Sequence, residues 1–105
     1  MEPNVIDVAA DFTRYPGGRF RSDGKFSGQR FRDDYLVPKL REANELKIIL
    51  DGTMGYGSSF LEEAFGGLAR LDEFAAQDLA TRLILETSDP SLRAEIIEYL
   101  TAARH

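Results

Sequence analysis

The sequence contains no cysteine and no tryptophan, and its only histidine is His105. The absence of cysteine excludes disulfides, thiolate chemistry and cysteine-based zinc sites. With one histidine there is no general base suited to a serine nucleophile, and the spacing of the carboxylates suggests no metal site. We therefore expect neither a metal ion nor a cofactor.

Long apolar runs are also missing. The longest are residues 48–50 and 83–85, which are far too short to cross a bilayer. The chain begins with MEPNVID, which lacks the basic and apolar regions of a signal peptide. We therefore expect a cytoplasmic protein with no membrane segment.

What is present is an ordinary globular composition with an uneven charge distribution. A chain of 105 residues, 43% hydrophobic and 30% charged, predicts a single domain over residues 1–105. The net charge is −5, yet residues 14–41 contain eight basic and three acidic side chains. Phenylalanines alternate with these cations, so one hypothesis is a nucleic-acid surface and the other is ordinary solvated surface and core. The candidate nucleic-acid contacts are Arg19, Arg21, Lys25, Arg30 and Arg32.

Short apolar segments predict the strands. Residues 4–8, 46–50 and 82–87 have the β-branched, apolar pattern of strands. Residues 19–26 are expected to add a hairpin or second strand, because an Asp-Gly pair supplies the positive φ of a tight turn. Helical patterns alternate with these segments, so we expect an α/β fold: a small mixed sheet of about four strands covered by helices.

Caps and apolar spacing mark the helices. Ser27 is the expected N-cap of a helix that runs to residue 43, with a kink or a new short helix at Pro38 because proline lacks a backbone donor. A short helix is expected over residues 73–80. The last helix should begin with Asp89 as N-cap and Pro90 as its first residue.

A loop rich in glycine and serine follows the central strand, with the sequence GTMGYGSSFLEEAFGGL over residues 52–68. It does not match a Walker loop, because no lysine follows the glycines and two glutamates would repel a nucleotide phosphate. It does not match a nucleophile elbow either, because the second glycine of Gly-x-Ser-x-Gly is absent. We therefore expect a protein that is not an enzyme.

The same loop contains a helix start signal. Ser59 and Glu62 have the spacing of a capping box, in which each side chain accepts a hydrogen bond from the other residue's backbone N–H. Phe60, Ala64 and Leu68 would then share one face of the helix. A purely structural cap and a regulatory role for the serines both fit this pattern.

Two sets of residues match a known family. In the first half the matching residues are Arg19, Gly24, Ser27, Gly28, Phe31, Arg32, Leu36 and Pro38. In the second half they are residues 50–52 and 55–68, including the run SSFLEEAFGGL. On these residues the chain resembles STAS domains, the fold of bacterial anti-sigma-factor antagonists, and more closely a group of small bacterial STAS-like proteins.

The resemblance implies a regulatory module that binds a protein partner, either a histidine-kinase-like ATPase or a serine kinase. In classical antagonists such a kinase phosphorylates a serine at the start of the helix after the central strand, and the modification releases the bound partner. By position this site falls on Ser58 and Ser59, although Gly57 and Phe60 replace the aspartate and glycine of the family's Asp-Ser-Ser-Gly motif. The partner-binding residues expected are Asp51, Tyr56, Gly57, Ser58, Ser59, Phe60, Glu62 and Glu63.

Electrostatic interactions would both favour and oppose a phosphate at this position. A phosphate at a helix N-terminus gains from the helix dipole and from free backbone N–H groups. Glu62 and Glu63 lie within one turn, and their carboxylates would repel it. This repulsion is what could make the modification act as a switch.

Overall fold

The computed structural model describes residues 4–102, apart from the side chain of Ala76. His105 and the first three residues lie outside the described residues. The strands are β1 (Val5–Asp7), β2 (Leu46–Ile49) and β3 (Leu83–Glu86). All three are parallel, in the order β1-β2-β3. The expected α/β class is confirmed, but within residues 4–102 the prediction of a four-stranded mixed sheet is wrong.

The missing strand is the segment 19–26, which forms a 3₁₀ turn over Arg21–Asp23 instead of a hairpin. The Phe20 N–H donates to Asp23 Oδ2 at 2.9 Å, which closes the turn locally. The carbonyls of Gly18 and Arg19 accept from the N–H groups of Gly28 and Gln29, at 2.9 and 3.0 Å. These are the free donors at the start of a helix, so the segment satisfies a helix end and does not join the sheet.

The first long helix, α1, covers residues 28–42. It is α-helical over Gly28–Phe31 and Val37–Glu42, with a π-helical segment over Arg32–Leu36 between them. Ser27 Oγ accepts from the Arg30 N–H at 3.2 Å, which confirms the predicted N-cap. At Pro38 the hydrogen bonding changes from π-helical to α-helical, while Val37 keeps helical dihedral angles of −61° and −50°.

Three more helices complete the layer. Helix α2 covers residues 58–69, with a π-helical segment over Glu62–Gly66; α3 is Ala76–Arg82 and α4 is Pro90–Ala102. A π-helical turn, Val8–Phe12, follows β1. Asp89 Oδ1 accepts from the N–H groups of Ser91 and Leu92 at 2.9 and 3.3 Å, so the predicted cap of α4 is confirmed. None of the helices within residues 4–102 has the length and apolar character needed to cross a membrane.

The core lies between the sheet and the helices. Helix α2 is central in the helical layer, because it packs against both α1 and α4. At the crossing with α1, the rings of Phe31 and Phe60 lie 5.9 Å apart, and Phe31 also meets Phe12 at 5.0 Å and Phe65 at 6.4 Å. All four rings are buried. This aromatic contact fixes the start of α2 relative to the rest of the domain.

Candidate protein-docking site

The loop between β2 and α2 is held by Tyr56. Its hydroxyl donates to the carbonyl of Leu50 at 2.7 Å, and its ring centroid lies 6.0 Å from that of Phe60. Burial raises the pKa of Tyr56 to about 12, so the hydroxyl keeps its proton at neutral pH. Gly52 and Gly55 have φ values of 103° and 119°, which residues with a side chain rarely adopt. The loop therefore has a defined path, and Tyr56 is half-buried rather than freely presented.

Loss of the Tyr56 hydroxyl should measurably destabilise the protein. In Tyr56→Phe the Leu50 carbonyl loses its donor, so we expect the free energy of unfolding to fall by about 1 kcal/mol. Urea unfolding would measure it. Tyr15→Phe is the matched control, because Tyr15 is 67% exposed and its change should be close to zero. Equal effects of the two variants would contradict the role given to Tyr56.

Asp51 fastens the ends of β2 and β3 together. Its carboxylate accepts from the Thr87 hydroxyl at 3.0 Å and from the Ser88 N–H at 3.1 Å. These hydrogen bonds, the one from the Ser88 backbone first, lower the pKa of Asp51. Asp51 was predicted to bind a partner, but its carboxylate is occupied in fixing the loop.

Helix α2 begins two residues earlier than expected. Gly57 is the N-cap, with φ −76° and ψ 153°, and it makes no side-chain cap because it has no side chain. The Gly57 carbonyl accepts from the Leu61 N–H at 3.1 Å. The predicted capping box of Ser59 with Glu62 is therefore wrong. Ser58 and Ser59 occupy the first two helical positions, and both are exposed.

The two serines differ in their surroundings. The hydrogen bond that the Tyr99 hydroxyl on α4 donates to Glu95 Oε2, at 2.7 Å, is the main cause that raises the pKa of Tyr99, whereas the Ser58 side chain acts to lower it. The Ser59 side chain has no hydrogen-bond partner within residues 4–102. Ser59 is thus the less constrained hydroxyl at the start of α2.

A surface groove of about 660 Å³ runs past these serines. One wall is the start of α2 and the other is the loop before α1, where Phe20 is 46% exposed. We call it the serine groove. Its lining residues are Gly18, Arg19, Phe20, Asp23, Gly57, Ser58, Ser59 and Phe60. The groove joins residues that are about 40 positions apart in the chain.

Phe60 was predicted to contact a partner, but it belongs to the core. Its exposed fraction is 1%, so a partner in the groove would meet little of its ring. Leu61 beside it is also 1% exposed. The two side chains anchor the first turn of α2, and the serines just before them are left on the surface.

The carboxylates of Glu62 and Glu63 are neutralised by three arginines. Arg19 Nη1 lies 2.5 Å from Glu62 Oε1 and 3.4 Å from Glu63 Oε1. Arg32 Nη1 lies 2.5 Å from Glu63 Oε2, and Arg70 Nη1 lies 2.6 Å from Glu62 Oε2. We call these five residues the ion-pair cluster. The repulsion that the two glutamates were expected to exert at the start of α2 is therefore largely cancelled.

The hydrogen bond from Arg70 is the main cause that lowers the pKa of Glu62, and the bond from Arg19 adds to it. The ion pairs of Glu62 therefore stabilise the folded protein while this carboxylate is ionised. A group whose pKa is lower in the folded state loses this contribution as the pH falls through the folded value. The connection between Arg19 and α2 should thus weaken only in acid.

Two glycines in α2 make room for the cluster. A Cβ atom at Gly67 would overlap Nη1 of Arg32, and one at Gly66 would lie 2.7 Å from Oε2 of Glu62. Glycine inside a helix costs about 1 kcal/mol relative to alanine. The close approach of the charged side chains gives the Gly66-Gly67 pair a structural reason.

The candidate nucleic-acid cations are mostly paired within the protein. Arg21 Nη2 lies 2.9 Å from Asp34 Oδ1, and Arg30 donates to the carbonyl of Lys25 at 2.9 Å. The Arg30 guanidinium and the Lys25 ammonium lie over the Phe26 ring, at 5.4 and 5.5 Å from its centroid. With Arg19 and Arg32 in the ion-pair cluster, four of the five candidate cations lie within 4 Å of a carboxylate, and Lys25 makes the ring contact. The three phenylalanines among these cations were expected in the core: Phe31 is buried and Phe26 is partly buried, but Phe20 is exposed.

The fold and this groove define a small STAS-like α/β domain. The family model described as STAS-like domain of unknown function (DUF4325) matches residues 27–93, and the chain belongs to this family. The resemblance predicted from the sequence is thereby confirmed at the level of the family. No curated protein and no solved structure matches the chain. The matched span contains Ser58 and Ser59, whereas the opposite wall of the groove, with Arg19 and Phe20, precedes it.

Proposed function

We propose that this protein is a non-enzymatic regulatory domain of the cytoplasm that binds a protein partner in the serine groove. The observation that carries the proposal is the position of Ser59: an exposed hydroxyl, without an internal partner, at the start of a helix that is fixed in the core. Arg19 and the exposed ring of Phe20 form the facing wall, and such aromatic and arginine side chains are enriched where proteins bind each other.

The site is suited to control by phosphorylation. A phosphate on Ser59 would add nearly two negative charges at the first turn of α2, where backbone N–H groups are free and the helix dipole is favourable. Arg19 is the cation among the residues that line the same groove. Glu62 would keep its bond to Arg70 if Arg19 turned toward the phosphate.

The movement of Arg19 from Glu62 to a phosphate on Ser59 would be the structural basis of the switch. Unmodified, Arg19 is bound to Glu62 and Glu63, and the groove presents two hydroxyls and an aromatic ring. Modified, the groove would carry a phosphate with Arg19 drawn to it, so its charge and its shape would both change. The partner class that the resemblance implies is a histidine-kinase-like ATPase or a serine kinase, and a partner of this class would be both ligand and modifying enzyme.

The rival hypothesis of nucleic-acid binding has less support. It requires cations that are free to bind phosphates, and the candidate residues are bound to carboxylates, to a carbonyl or to an aromatic face. Oligonucleotide binding that weakens steeply with salt would revive it.

The proposal is tested with a phosphomimetic variant and a matched control. The tagged chain is used to purify its partner from the source cells, and the affinity of the purified pair is then measured by calorimetry. We expect Ser59→Asp to weaken binding about tenfold or more, because it places a carboxylate in the groove. Ser91→Asp is the control: Ser91 is also exposed and is also the second residue of its helix, but lies outside the groove.

A second set of experiments tests docking in the groove and control by phosphorylation separately. Phe20→Ser should also lower the affinity for the partner, since it removes the exposed ring. Mass spectrometry of the chain from its source cells should find phosphate on Ser59 or Ser58. If both groove variants bind as tightly as the wild type while remaining folded, the docking site is wrong. Serines that carry no phosphate under any growth condition would contradict the switch alone.

A further inference from the structure

One face of the sheet has no covering layer within residues 4–102. Side chains of a strand alternate between its two faces. The set that points to the helices is at most 7% exposed and consists of Ile6, Leu46, Ile48, Leu83 and Leu85. On the opposite set Ile84 is 42% exposed, and the side chains of Lys47 and Glu86 are 43% and 56% exposed. We call this set the open face, and its members are Val5, Asp7, Lys47, Ile49, Ile84 and Glu86.

The order of the strands explains why the face is open. Connections between parallel strands are almost always right-handed. Because the order β1-β2-β3 advances in one direction, two right-handed connections place their helices on the same side of the sheet. Helix α4 follows β3 and packs against α2, so it belongs to that same layer. The described chain therefore has no helix for the other side.

An open parallel sheet is unusual. Sheets of this kind are normally covered on both faces. Here Val5, Ile49 and Ile84 place β-branched apolar side chains on the uncovered side, interspersed with charges. This composition fits a face that is covered by another molecule.

The charges on the open face indicate what that molecule is. The register aligns its side chains in two rows across the strands. Lys47 is the centre of one row, and Asp7 and Glu86 are the ends of the other. A face of a single sign would repel a copy of itself, whereas this one carries both signs and can complement itself. The rows are Val5, Lys47, Ile84 and Asp7, Ile49, Glu86.

Only one of two simple arrangements matches the charges. If two open faces stack about a two-fold axis that keeps the strand direction, Lys47 meets Lys47 and Asp7 meets Glu86. If the axis reverses the strand direction, each row lies over the other row. Lys47 of one copy then lies between Asp7 and Glu86 of the second copy. Opposite charges alternate in this second arrangement.

We propose that the open face is the interface of a symmetric dimer of this chain, with the strand direction reversed between the two stacked sheets. The sheets would lie about 10 Å apart, as in other sheet-on-sheet packings, with helices on both outer sides. Two-fold dimers are also the commonest oligomers. Three short strands offer a small contact area, so the dimer is reversible and depends on concentration. The serine groove lies in the helical layer and remains accessible in each copy.

Sedimentation velocity of the full chain, from about 1 μM to about 1 mM, measures the dimer directly. The wild type should shift from monomer to dimer across this range. Ile84→Glu should raise the dissociation constant about thirtyfold or more, because it adds a carboxylate beside Glu86 of the second copy. Met54→Glu is the matched control, since Met54 is 70% exposed and lies outside the open face. It should leave the dissociation constant unchanged.

A charge exchange tests the arrangement itself. Lys47→Glu and Glu86→Lys should each weaken the dimer about tenfold, and the double variant should recover most of the affinity. The double variant also keeps the pair between residues 47 and 86 inside each copy, which is 3.4 Å in the wild type. A chain that is monomeric at every concentration overturns the proposal. A dimer that is insensitive to Ile84→Glu and to the charge exchange also overturns it.

Discussion

Arg32→Ala should lower the free energy of unfolding by about 3 kcal/mol, because it leaves a buried carboxylate without its main partner. The side chains of Arg32 and Glu63 are each only 12% exposed, and they are joined at 2.5 Å. Arg32 also donates to the Glu63 carbonyl at 3.2 Å. Arg19 and Arg70 lie farther from the Glu63 carboxylate, at 3.4 and 3.9 Å, so they compensate only in part.

The matched control for this variant is Arg41→Ala. The Arg41 and Glu73 pair is as short, at 2.6 Å, but its side chains are 60% and 39% exposed. Water and side-chain entropy leave such an exposed pair with little effect on the free energy of unfolding. Urea unfolding of both variants gives the comparison. If Arg32→Ala and Arg41→Ala lower the free energy of unfolding by similar amounts, burial does not make the Arg32–Glu63 pair more important for stability than an exposed pair.

A double variant distinguishes a lost ion pair from lost packing. In Arg32→Met with Glu63→Leu both charges are removed and apolar volume remains, so most of the stability should return. The recovery would show that the cost of Arg32→Ala comes from the unpaired charge on Glu63. It would also show that the Arg32–Glu63 pair adds little net stability over an apolar pair of similar volume.

The regular elements were largely predictable from the sequence. The three strands lie within the segments that their apolar, β-branched pattern predicted, and the caps at Ser27 and Asp89 form as expected. These features depend on neighbours in the chain. A side chain that caps a helix acts within three residues, and a buried strand is apolar because of its immediate surroundings.

The groove was only half predictable, because it depends on contacts across the chain. The serines were located by the family resemblance, but the facing wall was expected to be a hairpin. Local alternation of Arg19, Phe20 and Arg21 is compatible with a strand, and nothing in it shows that this backbone instead binds the start of α1. The three arginines around Glu62 and Glu63 are 7 to 44 residues away from them, so sequence spacing could not pair them.

The helix start at Gly57 shows a conflict between two local signals. Ser59 has the correct spacing to Glu62 for a capping box, but Glu62 is bound by Arg19 and Arg70 and is not available. The backbone is already helical at Ser58 and Ser59, and the next two side chains, Phe60 and Leu61, are buried in the core. Tertiary contacts therefore move the cap to Gly57 and turn the predicted capping serine into an exposed surface residue, which is the condition that a modification site needs.

Gly28→Ala should lower the free energy of unfolding by about 2 kcal/mol, although alanine is the better helix former by about 1 kcal/mol. Two effects compete at this first residue of α1. A Cβ atom would overlap the carbonyl oxygen of Phe60 and would lie 3.2 Å from the Ala64 nitrogen. Both contacts are with backbone, which cannot rotate away as a side chain can. We therefore expect the steric cost to exceed the gain in helix propensity.

The overlap at Gly28 also connects stability to the serine groove. Relief of the clash requires α2 to move away from α1, and Ser58 and Ser59 lie at the end of α2 that would move. Gly17→Ala is the control, because a Cβ atom there meets nothing within 4 Å. Urea unfolding and partner affinity should both fall for Gly28→Ala and stay unchanged for Gly17→Ala. A Gly28→Ala protein of wild-type or higher stability would mean that the two helices do not cross as closely as described, and the fixed geometry of the groove would lose its basis.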